Sequence, residues 1–111
     1  MTEAIQPDRY TYRVTRSSED GEYVGLCAEF PSLSHLDENH SSALEGIRAL
    51  VRDIVEDLET SGEPIPQPIA DRKYSGNFQL RMPPHRHRQL VIEAMEQGVS
   101  LNRYINSKLA T

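Results

Sequence analysis

The stretch that decides the fold is Asn77-Phe78-Gln79-Leu80-Arg81-Met82-Pro83-Pro84, at the start of the last third of the chain. Polar and apolar side chains alternate from position 77 to position 82, as they do in a β-strand with one buried face. The two prolines end the strand because neither can donate a backbone hydrogen bond. This segment contains no second strand, so the backbone groups of the first must pair elsewhere.

Two short helices follow this strand. The sequence predicts a helix over residues 84–97, closed by Gly98, and a last helix over residues 101–109, capped by Ser100. A strand and two helices of this size cannot enclose a core by themselves. We therefore predict a homodimer in which two copies of residues 77–82 pair as an antiparallel ribbon over a shared helical core.

The polar face of the ribbon carries Asn77, Gln79 and Arg81. A two-stranded ribbon fits the major groove of DNA, where amide side chains can bind adenine and guanidinium groups can bind guanine. These three residues are therefore predicted to read bases. Lys73 and the helix start at Ser100 are suited to backbone phosphates. The alternative is an ordinary exposed sheet surface, on which the same alternation is common.

The charge of the chain is divided unevenly. Residues 1–70 contain five Arg and fourteen Asp or Glu, a net charge of −9, whereas residues 71–111 contain seven Lys or Arg and three Asp or Glu, a net charge of +4. A polyanion is attracted by the second part and repelled by the first. The two parts are therefore expected to have different partners, and double-stranded operator DNA fits only the second.

The run NFQLRMPP, a helix and then GVSLNRYI resembles the ribbon-helix-helix family typified by the Arc and MetJ repressors. The resemblance spans residues 76–110 and implies a dimer that binds operator DNA. It implies that Asn77, Gln79 and Arg81 contact bases. It also implies that the Val99–Ser100 turn contacts a phosphate.

The acidic part is predicted to form a small antiparallel sheet with one packed helix. Strand patterns begin at Tyr10, cover Tyr23–Phe30 and recur weakly at Ser32–Leu36. Asn39 and Gly62 are the expected cap and stop of a long amphipathic helix. Its apolar stripe comprises Ala43, Leu44, Ile47, Leu50, Val51, Ile54, Val55 and Leu58.

A proline-containing stretch, GEPIPQPIADRK, follows this helix. Its three prolines exclude a continued helix and predict a semi-rigid linker. We therefore divide the chain into a first domain over residues 1–63, a linker over residues 64–74 and a second domain over residues 75–111.

The run DGEYVGLCAEFPSL, a short strand and then SSALEGIRALVRDIVEDLETSGEPIPQP resembles the HicB family of antitoxins. Gly62, Pro64 and Pro66 match the Gly-x-Pro-x-Pro ending of that family, whereas Ser32-Leu33 replaces its usual Gly-Cys. The resemblance implies a partial ribonuclease-H-like fold that binds and blocks a HicA-type toxin, a small basic ribonuclease. The expected fold class is then α+β, with a ribbon-helix-helix segment after the sheet.

No catalytic, metal or cofactor site is predicted. The carboxylates of the acidic part have no spacing that forces them onto one metal ion; they include Glu29, Asp37, Glu45 and Asp53. The single cysteine, Cys27, excludes an intrachain disulfide and favours a reducing cytoplasm. Neither a signal peptide nor a membrane-spanning segment is recognisable.

The leading hypothesis is a cytoplasmic, non-enzymatic antitoxin that sequesters a HicA-type toxin and represses its own operator as a homodimer. Whether two dimers join into a tetramer is left open. The first alternative is a stand-alone ribbon-helix-helix regulator whose N-terminal domain senses a ligand or mediates oligomerisation. The second is a nuclease, which would need metal-dependent cleavage of RNA.

Overall fold

The computed structural model describes residues 5–110 and divides the chain into two compact units, Met1–Tyr74 and Ser75–Thr111. Over the described residues it contains a three-stranded antiparallel sheet and three α-helices. The predicted α+β class is therefore confirmed. None of the helices within residues 5–110 is long and apolar enough to cross a membrane.

The sheet lies in the N-terminal unit and has the strand order β1-β2-β3. Its strands are β1 (Tyr12–Ser17), β2 (Glu22–Cys27) and β3 (Ser34–Asp37), and both neighbouring pairs are antiparallel. Gly21 turns the chain between β1 and β2 with a φ of 66°, a conformation that glycine adopts without strain.

β1 begins later and β2 ends earlier than the alternation of side chains predicts. The Thr11 amide donates to the Glu29 carboxylate at 2.9 Å, which takes one backbone group out of the ladder. The Phe30 amide donates to the Cys27 carbonyl at 3.2 Å and turns the chain ahead of Pro31. Both bonds replace strand pairing, so the ladder is shorter at this end.

Helix α1 (His40–Ser61) has its ends where the sequence predicts them. The Asn39 side chain accepts a hydrogen bond from the Ser42 amide at 2.8 Å, which satisfies one of the free amides of the first turn. Gly62 ends the helix with a φ of 71°. Both end signals are confirmed.

The apolar stripe of α1 has the predicted members but a different centre. Its fully buried residues are Ala43, Ile47, Val51 and Val55, which recur every four positions. Leu44, Ile54 and Leu58 are only partly buried and lie at the sides of the stripe. The core cluster joins this stripe to Tyr10 and Cys27.

Two glycines allow α1 to lie close to the sheet. A Cβ atom added to Gly25 of β2 would overlap the Ala43 carbonyl oxygen and the Ile47 side chain. A Cβ atom added to Gly46 of α1 would overlap the ring of His35 on β3. The helix backbone therefore lies directly against the sheet at these two positions.

Replacing Gly25 by alanine is expected to lower the free energy of unfolding by about 1–3 kcal/mol. The added methyl group meets the backbone oxygen of Ala43, which cannot rotate away. Urea unfolding followed by circular dichroism measures the effect, with Thr15→Ala at an exposed position of β1 as the control. Equal stability of the two variants would contradict the close approach of helix and sheet.

The proline-containing segment packs against the N-terminal unit, although residues 64–74 were predicted to be a linker. Pro68 is less than 2% exposed. The Tyr10 hydroxyl donates to a proline carbonyl of the segment at 2.7 Å, and the Ile69 amide donates to Glu29 at 2.8 Å. These partners are distant in sequence, so the local proline pattern does not reveal them.

The C-terminal unit contains α2 (Pro84–Glu96) and α3 (Leu101–Leu109), joined by a turn in which Gly98 has a φ of 69°. These bounds agree with the predicted helices to within one residue. Residues 77–82 form neither helix nor strand in the single chain. The ribbon predicted there requires a second chain and stays a prediction.

Candidate DNA-binding and partner-binding surfaces

The C-terminal unit exposes several large apolar side chains. The exposed fractions are 75% for Phe78, 61% for Leu80, 74% for Met95 and 67% for Leu109. Within the described part of this unit, the buried hydrophobic residues are Ala94 and Tyr104. So much exposed apolar surface on so small a unit is typical of an interaction surface.

Two grooves lie between the 77–82 segment and α3. One, of about 390 Å³, has Leu80, Met82 and Ile105 in its lining. The other, of about 290 Å³, has Phe78, Leu80 and Ile105 in its lining. The alternate apolar residues of the predicted strand therefore border the helices, as residues of an inward face would.

One polar contact holds the two helices together. Tyr104 of α3 is only 5% exposed, and its hydroxyl donates to the Glu93 carboxylate of α2 at 2.8 Å. The Lys108 ammonium lies 5.4 Å from the centre of the Tyr104 ring. These contacts set the position of α3, and with it the position of the N-terminus of α3.

The three predicted base-reading residues, Asn77, Gln79 and Arg81, are all exposed. The Asn77 amide donates to the Ser75 hydroxyl at 3.0 Å. Asn77 and Arg81 also take part in the lining of the two grooves, whereas Gln79 does not. The single chain does not align the three on one strand face, so base reading stays a proposal that depends on the dimer.

The predicted phosphate site has one donor fewer than the sequence suggests. The Ser100 hydroxyl caps α3 by accepting from the Arg103 amide at 3.1 Å, as predicted. The Val99 amide, however, donates to the Ala94 carbonyl at 3.1 Å in the turn that closes α2, so it is not free for a phosphate. Lys73 is exposed and belongs to the N-terminal unit.

The free donors at this turn come from the two residues that follow Ser100. In the part of the chain that the structure describes, the amides of Leu101 and Asn102 have no hydrogen-bond acceptor. α3 is nine residues long, and the positive end of its dipole lies at the same place. The Val99–Ser100 turn thus presents two amides where the family contact is expected.

Replacing Ser100 by alanine is expected to lower the stability of the full chain by about 0.5–2 kcal/mol, because the Arg103 amide loses its acceptor. Thermal unfolding measures the change. Ser107→Ala is the matched control, since the Ser107 hydroxyl only donates to the Tyr104 carbonyl within α3. If the two variants were equally stable, Ser100 would not be acting as the cap.

The N-terminal unit presents an acidic face on α1. Glu45, Asp53, Glu56 and Asp57 are all exposed on the side of the helix that does not pack on the sheet. Among residues 5–110, no group of three or more His, Cys, Asp or Glu side chains is placed to hold a metal ion. The exposed side of α1 therefore carries a net negative charge.

Glu29 is one of the four scattered carboxylates considered above as metal ligands, and the structure gives it a different role. It is 9% exposed and accepts hydrogen bonds from the Thr11 amide, the Thr11 hydroxyl and the Ile69 amide. Burial raises the pKa of this carboxyl, but the amide donors outweigh burial, and the net pKa lies below its usual value. No local pattern distinguishes it from the other carboxylates, because its donors are distant in sequence.

Two neighbours of Glu29 are kept in their neutral forms. Burial raises the pKa of Tyr10 to about 12, so its hydroxyl stays a donor. Burial also raises the pKa of the Cys27 thiol, which is 2% exposed and lies 3.6 Å from the Glu29 carboxylate. Cys27 is a core residue of the N-terminal unit.

The comparison with protein families connects this structure to a known group. A model described as the HicB family matches residues 59–109. The chain is therefore similar to the HicB family over this range. It covers a little under half of the chain, from the end of α1 through the proline-containing segment to α3. Neither the curated proteins nor the solved structures gave a match. The HicB match therefore bears on the C-terminal unit as well as on the segment that precedes it.

Proposed function

We propose that this protein is an antitoxin that binds a HicA-type toxin through its N-terminal unit and represses its own operator through a dimeric C-terminal unit. The HicB match over residues 59–109 suggests an antitoxin. The observation that carries the second half of the proposal is the exposed apolar surface around residues 77–82, inside the matched range.

The dimer follows from the chemistry of the exposed segment. Phe78 and Leu80 are more than half exposed in the single chain. Pairing of two 77–82 segments gives their backbone groups partners and covers these side chains with the helices of both chains. Burial of each such side chain contributes about 1.5–3 kcal/mol. The ribbon-helix-helix arrangement provides both the backbone pairing and the apolar burial.

Operator binding follows from the dimer. An antiparallel ribbon places Asn77, Gln79 and Arg81 of both chains on one polar face, which fits the major groove. Lys73 and the Val99–Ser100 turn bind the flanking phosphates, the turn through the amides that follow it. Residues 75–111 carry five Lys or Arg and two Glu, so the unit as a whole attracts DNA.

Toxin binding is assigned to the N-terminal unit. Residues 1–74 keep the large acidic excess of the chain, and part of that excess lies on the exposed face of α1 at Asp53, Glu56 and Asp57. A ribonuclease that binds RNA carries a basic surface, which an acidic face of this kind can cover. The antitoxin then acts by occlusion, with no chemistry of its own.

The test is co-expression of the full chain with the product of the adjacent gene, with an affinity tag on one of the two proteins. We expect a stable complex and relief of growth arrest caused by the adjacent gene product. If the full chain bound its upstream DNA but retained no neighbouring protein, the antitoxin role would be wrong. The stand-alone regulator would then be the better description.

A further inference from the structure

Residues 65–72 form a short strap on the N-terminal unit. The Asp71 amide donates to the Pro68 carbonyl at 3.0 Å and the Arg72 amide donates to the Ile69 carbonyl at 3.1 Å, which gives the strap a defined turn. Pro68 is less than 2% exposed, so the strap is packed as well as hydrogen-bonded. It begins after the end of α1 and finishes just before the C-terminal unit.

One carboxylate joins the strap to the sheet. Glu29 Oε2 accepts from the Ile69 amide of the strap at 2.8 Å, and Glu29 Oε1 accepts from the Thr11 amide beside β1 at 2.9 Å. The Thr11 hydroxyl adds a third bond at 3.2 Å. Hydrogen bonds to a charged acceptor are stronger than neutral ones, and this acceptor is almost fully buried.

Two further contacts hold the ends of the strap. The Tyr10 hydroxyl donates to the Pro66 carbonyl at 2.7 Å. The Arg9 guanidinium lies 3.5 Å from the Asp71 carboxylate, an exposed and weaker contact. Glu29 is therefore the central fastening, since its bond lies between these two ends and is shielded from water.

We propose that Glu29 is the clasp of a releasable strap that sets the length of the tether between the N-terminal and C-terminal units. With the strap held, the tether is residues 73–74; with the strap released, it is residues 65–74. Pro66 and Pro68 favour an extended backbone of about 3.1 Å per residue, so release of these eight residues adds up to about 25 Å of reach.

This proposal is independent of what either unit binds. The hydrogen bond between the Ile69 amide and Glu29 can be tested by substituting either residue, because each substitution changes one of the two bonded groups.

Ile69→Pro tests the clasp from the strap side. Pro68 has φ −54° and ψ 137°, a conformation that accepts a following proline, so the substitution removes the amide donor with little backbone strain. Ile69→Ala is the matched control, since it loses the side chain but keeps the amide. Hydrogen exchange of the full chain, read by mass spectrometry, measures the opening of the strap.

We expect the Asp71 and Arg72 amides to exchange about tenfold faster or more in Ile69→Pro than in Ile69→Ala, with α1 unchanged. Glu29→Gln keeps one acceptor oxygen for two amides and loses the charge, so it should give a smaller change in the same direction. Glu19→Gln, which removes a charge from the β1–β2 turn, should give no change. If Glu29→Gln unfolds the N-terminal unit, the comparison of Ile69→Pro with Ile69→Ala still tests the proposal. Exchange in Ile69→Pro within twofold of Ile69→Ala would overturn the proposal.

Discussion

Replacing Leu80 by glutamate is expected to abolish both dimerisation and operator binding. Leu80 is 61% exposed in the single chain and takes part in the lining of both grooves beside α3. The proposed dimer buries it, so each variant chain would lose about 1.5–3 kcal/mol of apolar burial and place an unpaired carboxylate in the interface, which costs several kcal/mol more. The dissociation constant of the dimer should rise more than about 1000-fold.

Sedimentation at micromolar concentration and a gel shift with the upstream DNA measure the two effects. Leu36→Glu is the control, because Leu36 is 47% exposed but lies on β3 of the other unit. We expect Leu36→Glu to remain a dimer that binds DNA. A Leu80→Glu protein that sediments as wild type would show that the exposed apolar surface is not the dimer interface.

Replacing Arg81 by alanine is expected to weaken binding to the specific operator by about 1–3 kcal/mol, which is about 5-fold to 150-fold, and to relax the preference at the contacted base. The guanidinium group is exposed and is the only cation among the three predicted base readers. In the proposed complex its loss removes a bidentate contact to guanine, so the variant should discriminate poorly at that base pair, whereas Asn77 and Gln79 should keep the preference at the other positions.

Lys73→Ala separates base reading from phosphate binding. A phosphate contact adds affinity for every sequence, so this variant should bind operator and unrelated DNA more weakly by the same factor, with a smaller salt dependence. Titration at two salt concentrations with both DNAs makes the comparison. Unchanged operator affinity in Arg81→Ala would show that the 77–82 segment does not read the bases.

The ends of the helices could be predicted from the sequence because their causes are local. The Asn39 cap bonds an amide only three residues away, and the Ser100 cap does the same. Gly62 and Gly98 adopt positive φ where the helices stop, a conformation that favours glycine whatever lies around it. These four positions needed no knowledge of the rest of the fold.

The ends of the strands and the packing of the proline-containing segment could not be predicted in this way. Both depend on Glu29, whose partners Thr11 and Ile69 are 18 and 40 positions away in the sequence. The local pattern around Pro68 indicates only that no helix continues. The tertiary contact decides that the segment is packed rather than free.

Only part of the candidate site could be predicted from the sequence. Alternation over residues 77–82 separates the apolar from the polar side chains, and the apolar ones do border the helices. The Val99 amide was expected at the phosphate, but the turn that closes α2 uses it, and the free amides belong to Leu101 and Asn102. Sequence spacing locates a helix end but not which of its donors are already bonded.

Deletion of residues 75–111 tests most directly whether the two units bind different partners. The structure sets this boundary, because the strap up to residue 72 packs with the N-terminal unit and a cut before it would damage that unit. The shortened and full chains are each co-expressed with the adjacent gene product and assayed for its retention and for operator binding. The account predicts that residues 1–74 lose operator binding yet still retain the toxin. Loss of both activities from a folded 1–74 protein would contradict it.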